Sequence, residues 1–145
     1  MNADDIKARA RKIMDAQQMT VLTTLDKAGF PQTRTMWCPA IDEDCTVYFV
    51  TGRSMDKCRQ IAENPHVNVF WSKVEEGQLG SGYVYIKGDA SVTDDQQLRY
   101  RLWDDMLSPF YPGGKDDPDY VIIMVKARQL VVMDSMEVPP EKIDF

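Results

Sequence analysis

Short apolar segments with alternating polar positions recur along the chain and predict mainly β-strands. The residues DKAG between two such segments are typical of a tight turn and predict a β-hairpin. Gly88 interrupts a long segment, where a glycine often marks a bulge or a barrel corner. The predicted strands are MTVLTTL, FPQTRTMWC, TVYFVT, HVNVFW, YVYIKGDASVTD, YVIIMVKA and LVVMDS. About seven short strands joined mainly by turns favour a closed or nearly closed antiparallel barrel over a parallel sheet.

Three segments have apolar residues at helical rather than alternating spacing, and they begin near Asn2, Ser54 and Asp94. The first helix is predicted within residues 1–17, and its buried face carries Ile6, Ala10, Ile13 and Met14. The second is expected to start with Ser54 as its cap and to end before Pro65. The third is predicted over residues 94–107, with a buried face of Leu98, Leu102, Trp103 and Met106. Residues 72–82 are polar and glycine-rich and predict a loop, and residues 136–145 are expected to form a C-terminal arm.

Length and composition indicate a single globular domain that spans residues 1–145. Apolar residues make up 43% of the chain and charged residues 28%, which is normal for a protein with a core. The net charge of -6 argues against nucleic acid and against an anionic membrane as partners. No apolar run approaches the length of a membrane span, so the cytoplasm is the expected location. Three widely spaced cysteines and one histidine predict neither a disulfide framework nor a metal site.

The junction between the strand TVYFVT and the second helix gathers side chains suited to an anion. The start of a helix presents unpaired N–H groups and a partial positive charge. Thr51 and Ser54 add hydroxyl donors, and Arg53 and Lys57 add charge. This combination predicts a phosphate site. The alternative is that Ser54 only caps the helix, while Arg53 and Lys57 are surface charges that pair with Asp56.

Arg34 lies in the middle of a predicted strand, FPQTRTMWC. If its side chain faces the barrel interior, its charge requires an anionic partner because an isolated buried charge is costly. A phosphate at the strand–helix junction would supply that partner. The alternative is an exposed arginine on an edge strand.

Four stretches of the chain are together similar to a known protein family. They are LTTLDKAGFPQTRTMW, YFVTGRSMDKCRQIAENPHVNVFW, YVYIKGDASVTDD and LWDDMLSPFYPGGKDDPDYVIIMV. In this order they resemble the pyridoxamine 5'-phosphate oxidase-like FMN-binding split barrels, and within them the general stress protein branch. The resemblance covers roughly residues 5–134. It implies a mainly β fold, an antiparallel, Greek-key-like split β-barrel of the FMN-binding type with flanking helices. It also implies a homodimer with FMN sites at the subunit interface.

The resemblance further assigns roles to individual residues. Arg34 and Lys57 would hold the FMN phosphate, with Thr51 and Ser54 hydrogen bonding beside it. Tyr83 stands where a glutamine of the oxidases contacts FMN. The residues expected to line the ribityl chain and the flavin ring are Thr35, Met36, Trp37, Phe49 and Val50.

The loop SPFYPGGKDDPD, residues 108–119, is part of the last of the four stretches that resemble the family. Residues 110–114 either cover the flavin or cap the end of the barrel. Asp116, Asp117 and Asp119 are expected to form turns rather than to bind a metal, because they lack the spacing of a calcium loop.

Departures from the oxidases limit the activity that we expect. Met55 and Asp56 precede Lys57 where the oxidases have serine and arginine, so one phosphate cation is missing, and Arg53 is the candidate to replace it. The C-terminal arginine–histidine substrate motif of the oxidases is absent, so oxidation of pyridoxamine phosphate itself is not expected. We therefore expect an FMN-dependent oxidoreductase that acts on another small molecule, and we assign no catalytic residue. Two alternatives stay open: a non-catalytic FMN-binding stress protein that serves as a flavin reservoir or sensor, and a split barrel that binds a deazaflavin or haem.

Overall fold

A computed structural model of the protein describes residues 2–78 and 81–145. In this part of the chain the strands are β1 (Met19–Leu25), β2 (Pro31–Trp37), β3 (Ala40–Ile41), β4 (Val47–Gly52), β5 (His66–Lys73), β6 (Gly82–Thr93), β7 (Tyr120–Met133) and β8 (Glu141–Asp144). The helices are α1 (Ala3–Asp15), α2 (Asp56–Glu63) and α3 (Gln96–Leu102), with 3₁₀ turns at Asp105–Leu107 and Gly114–Asp116. None of these helices is long and apolar enough to cross a bilayer. The loop predicted over residues 72–82 lies partly outside the described residues.

The strands form one antiparallel sheet in the order β2-β1-β5-β6-β7-β4-β3, and β8 pairs with β7. β1 therefore neighbours β5, although β2, β3 and β4 lie between them in the sequence. The chain passes from β2 at one edge of the sheet to β3 and β4 at the opposite edge and then returns to β5, which is Greek-key-like connectivity. The sheet curls until β2, at one edge, comes near β4. The predicted fold class, a mainly β antiparallel split barrel with flanking helices, is confirmed.

The alternation of side chains along the strands builds a main core inside the curled sheet. Its fully buried members include Leu22, Phe49, Val84 and Ile123. The first helix packs into this core with the four residues that the sequence predicted, Ile6, Ala10, Ile13 and Met14. A second, smaller cluster lies on the opposite face of β4, where Tyr48 and Tyr120 pack beneath α3. β4 is therefore covered on both faces, and its neighbouring side chains serve different cores.

Residues 120–133 form one continuous strand, where the sequence predicted two. The prediction is wrong because the polar residues between the two apolar runs stay in the sheet through a bulge. The register with β6 shifts between Lys87 and Gly88 and leaves Arg128 as the extra residue. A side chain at Gly88 would bring its Cβ within 2.5 Å of the carbonyl oxygen of Lys126. The irregularity predicted at Gly88 is thus confirmed.

The second helix begins at Asp56, and Ser54 is not its cap as predicted. The Ser54 amide donates to Oδ1 of Asp119 at 3.0 Å, so the segment between β4 and α2 is a turn held by the loop before β7. Met55 occupies the N-cap position in an extended conformation and makes no side-chain capping hydrogen bond. The prediction failed because local spacing does not reveal a carboxylate that lies far away in the sequence.

The third helix ends at Leu102, whereas the spacing predicted helix through residue 107. Trp103 is already extended, and the Asp104 side chain accepts a hydrogen bond from the Met106 amide, which starts a separate 3₁₀ turn. Met106 is consequently 53% exposed, and Leu107 is buried instead. The local competition of an aspartate for backbone donors explains the early end.

The C-terminal segment contributes a strand to the sheet. β8 pairs with residues 129–132 of β7. Arg9 of α1 stabilises this end of the chain, because its guanidinium contacts carboxylates of Asp134 at 2.7 Å and Glu141 at 2.8 Å. The first helix and the last strand are thereby joined.

Candidate anion-binding site

Arg34 on β2 points toward the inside of the curled sheet. Its cross-strand partner is Leu22, which is fully buried, so both side chains share the inner face. The guanidinium Nη1 donates to the hydroxyl of Thr24 at 2.9 Å and to the carbonyl of Leu22 at 3.3 Å. β2 is an edge strand, as the alternative assumed, but the Arg34 side chain is half-buried rather than exposed.

Lys57 in the first turn of α2 approaches the same region. Its ammonium donates at 3.1 Å to the hydroxyl of Thr51, which is buried on the inner side of β4. Burial lowers the pKa of Lys57, and the positive charge of Arg34 lowers that pKa further. The two cations are thus close enough to repel each other.

Within residues 2–78 and 81–145, neither cation forms an ion pair with a carboxylate. Asp56, the expected partner in the surface-charge alternative, instead pairs with Arg59 at 3.3 Å. Burial also lowers the pKa of Arg34. Two half-buried charges of the same sign, each lacking a counter-ion, favour a bound anion, because an anion would offset both desolvation and repulsion.

Arg53 and Ser54 each bind an aspartate away from Arg34 and Lys57. Arg53 forms an exposed ion pair with Asp94 at 3.1 Å. The structure therefore does not support the idea that Arg53 replaces the phosphate cation that the oxidases have directly before Lys57. Ser54 is exposed, and its amide is bound by Asp119. Of the two hydroxyl groups predicted for the phosphate site, those of Thr51 and Ser54, the Thr51 hydroxyl contacts one of the two cations, Lys57.

The strand residues expected to line the ribityl chain and ring divide between the two faces of their strands. Phe49 and Met36 belong to the main core, and Phe49 is 0% exposed, so its ring has no free surface to offer a ligand. A contact between a flavin and the backbone of Phe49 stays a prediction. Trp37 and Val50 are half-buried beside the second cluster, and Thr35 is exposed.

Tyr83 lies in an aromatic row on the outer face of the sheet. Its ring stacks on Tyr85 of the same strand, with centroids 6.0 Å apart, and on Phe70 of β5, with centroids 5.9 Å apart. Val84 between the two tyrosines is fully buried, so the row faces away from the main core. All three rings keep exposed surface and lie outside both clusters.

The loop of residues 108–119 is fixed at both ends. Tyr111 is buried against Tyr120, with ring centroids 5.3 Å apart, while Phe110 stays exposed. Asp117 accepts hydrogen bonds from the amides of Gly113 and Asp119, both at 2.9 Å, which confirms its predicted turn-forming role. The loop caps the second cluster through Tyr111, and a contact with a flavin stays a prediction.

Two polar residues behind Arg34 were missed by the sequence reasoning. Thr24 and Gln60 are buried, and the Thr24 hydroxyl donates to Oε1 of Gln60 at 2.6 Å. The alternation of β1 places Thr24 on the same face as Leu22, so this signal was available. Gln60 gave no signal, because a glutamine on a short helix is usually exposed.

Two clefts of the chain lie away from the cation cluster. One of about 640 Å³ lies beside α1 and is lined in part by Lys12 and Lys73. The other, of about 530 Å³, lies at the β5–β7 end of the sheet and is lined in part by His66 and Lys87. Neither cleft is lined by Arg34.

A curled antiparallel half-barrel, with an arginine from β2 and a lysine from the helix after β4 at its inner rim, defines a split-barrel protein with a basic site. The chain belongs to the family described as pyridoxamine 5'-phosphate oxidase like, which it matches over residues 5–138. The family inferred from the sequence is thereby confirmed.

Similar proteins agree with the branch that was inferred. General stress protein 26 of Bacillus subtilis (strain 168) is 28% identical over 145 residues, the full length of both chains. The crystal structure of General Stress Protein 26 from Bacillus anthracis str. Sterne has a TM-score of 0.79 at 26% identity and covers 97% of this chain and 98% of its own. A heme binding protein from Mycobacterium smegmatis shares the fold at 15% identity, with a TM-score of 0.78 over 96% of this chain and 57% of its own.

Proposed function

We propose that this protein binds FMN, with the phosphate between Arg34 and Lys57, and that it is an FMN-dependent oxidoreductase of the general stress protein branch. The observation that carries the proposal is the convergence of two half-buried cations without a carboxylate partner in the described residues. A phosphate monoester carries close to two negative charges at neutral pH, so one phosphate matches the charge of the pair. Membership of a family that often binds flavins supports the same ligand.

The donors present are sufficient for a ligand of ordinary affinity. A hydrogen bond to a charged group contributes about 1.5–3 kcal/mol, and a micromolar dissociation constant corresponds to about 8 kcal/mol. Arg34, Lys57 and the hydroxyl of Thr51 would therefore supply a large share of the binding free energy. The flavin supplies hydride and electron transfer, and the residues of the chain hold and orient it.

A second subunit would complete the site. We expect a homodimer in which the aromatic row of Phe70, Tyr83 and Tyr85 is covered by the partner, because partly exposed stacked rings on the outer face of a sheet are typical of interfaces. A flavin ring needs apolar surface on both sides. Trp37 and Val50 of one subunit and Tyr83 of the other are the candidates to provide it.

The cofactor proposal is tested by adding FMN to the purified protein and recording the visible absorption spectrum. Retention of a flavin spectrum after gel filtration is expected. A haem Soret band in the purified protein, with no uptake of FMN, would contradict the proposal and favour the haem alternative.

The enzymatic part requires a kinetic measurement. Stopped-flow reduction of the bound flavin by NADH and NADPH, followed by reoxidation with candidate acceptors, is expected to give reduction that is faster than that of free FMN. Reduction no faster than that of free FMN would favour the non-catalytic flavin reservoir or sensor.

A further inference from the structure

We infer that Thr24 and Gln60 form a buried relay that positions Arg34 for a phosphate, which makes both of them positioning residues of the site. The inference rests on the proposed function, because it concerns the same phosphate. It concerns residues behind the site rather than the groups that would touch the ligand.

The geometry fixes the direction of each hydrogen bond in the relay. Arg34 has only donors, so its Nη1 donates to Oγ1 of Thr24 at 2.9 Å. The single hydroxyl proton of Thr24 must then go elsewhere, and Oε1 of Gln60 accepts it at 2.6 Å. A hydroxyl that donates to a carbonyl becomes a better acceptor, so Gln60 strengthens the bond that Thr24 makes with Arg34.

The relay also joins the two elements that carry the cations. Gln60 follows Lys57 by three residues on α2, so both side chains lie on one side of the helix. Thr24 lies on β1, which pairs with the strand of Arg34. The contact between Thr24 and Gln60 therefore joins the helix that carries Lys57 to the strand next to Arg34.

The chemistry of the relay suits a site that must stay positively charged. A carboxylate behind Arg34 would hold the guanidinium equally well, but it would neutralise the charge that the phosphate needs. Thr24, Gln60 and the Leu22 carbonyl are neutral, so they fix the direction of the guanidinium and leave its charge free. Buried polar groups of this kind persist only when they are hydrogen-bonded, and the Thr24 hydroxyl both accepts from Arg34 and donates to Gln60 Oε1.

The test compares FMN with riboflavin, which lacks the phosphate, in titrations of flavin fluorescence. Thr24→Val keeps the shape of the side chain and removes its hydroxyl, and Thr24→Ser is the matched control that keeps it. Thr24→Val is expected to weaken FMN about tenfold and to leave riboflavin unchanged, while Thr24→Ser retains the wild-type preference. In an Arg34→Ala background, Thr24→Val is expected to add no further loss.

A folded Thr24→Val protein with the wild-type ratio of FMN to riboflavin affinity would overturn the relay and leave the phosphate site intact. An equal loss of affinity for FMN and for riboflavin would overturn it as well, because such a loss indicates a perturbed binding site rather than a weakened phosphate contact. If Thr24→Val does not fold, Gln60→Met gives the same comparison. If the wild-type protein itself prefers FMN no more than riboflavin, the proposed function fails, and the inference fails with it.

Discussion

Arg34 and Lys57 are the residues whose loss should most affect ligand binding. Alanine at either position is predicted to weaken FMN by about 2 kcal/mol, or roughly thirtyfold, because each change removes a charge-assisted contact with the phosphate. Isothermal titration of each variant measures this loss. Arg53→Ala is the control, since Arg53 is an exposed arginine already paired with Asp94. Unchanged affinity in both of the first two variants, or an equal loss in the control, would refute the assignment.

The pH dependence of FMN binding follows from the charge of Lys57. Burial and Arg34 lower its pKa in the free protein, so the ammonium loses its proton below the usual pH range of a lysine. A bound dianion favours the protonated form, so the affinity should fall as the pH rises through that lowered pKa. It should also fall below about pH 6, where the phosphate takes up a proton. Titrations from acid to alkaline pH are expected to show a maximum between these limits.

Lys57→Arg separates this explanation from a general effect of pH. A guanidinium stays charged throughout the range, so the alkaline loss of affinity should shift to higher pH in this variant. An alkaline limb identical to that of the wild-type protein would mean that another group is responsible.

At the level of the elements, the bulge in β6 and β7 depends on a glycine. Gly88→Val is predicted to destabilise the fold by about 3 kcal/mol, because its Cβ would lie 2.5 Å from a backbone carbonyl that cannot move freely. Urea unfolding measures the change. Ser91→Val, at an exposed position of the same strand, is expected to have little effect. Equal stability of the two variants would show that the strands can adjust.

The sequence was informative about elements wherever one face of an element is buried. Alternation located the strands, and helical spacing located the buried face of α1, because both patterns record burial directly. The errors arose where the deciding contact is distant or competitive. Asp119 binds the turn at Ser54, and the side chain of Asp104 ends the third helix. The bulge at Arg128 carries the last long strand through its polar stretch.

The site was predictable to a similar extent. Arg34 and Lys57 could be predicted from their charge and position, since an arginine in the middle of a strand and a cation at a helix start are visible in the sequence. Gln60 was not found, because its role depends on a tertiary hydrogen bond, and Thr24 was overlooked although the alternation of β1 places it on the inner face. The alternation along β4 separates Phe49 from Val50, but it does not say which of the two faces meets a ligand.

For the whole molecule, we expect dimerisation and cofactor binding to be linked. Tyr85→Glu places a charge in the aromatic row and is expected to give monomers in sedimentation velocity and to weaken FMN, because the partner's surface is lost. Gln97→Glu adds the same charge to the exposed surface of α3 and should leave the dimer intact. A Tyr85→Glu protein that stays dimeric, or a wild-type monomer that binds FMN normally, would refute the proposed interface.

The most direct measurement is a crystal structure of the protein with FMN. In that structure the phosphate is expected to contact Arg34 and Lys57 of one subunit, with Thr51 beside it, and the ring is expected to lie between two subunits. FMN bound elsewhere, such as in the cleft beside α1, or a phosphate that extends into solvent with both cations unoccupied, would contradict this expectation.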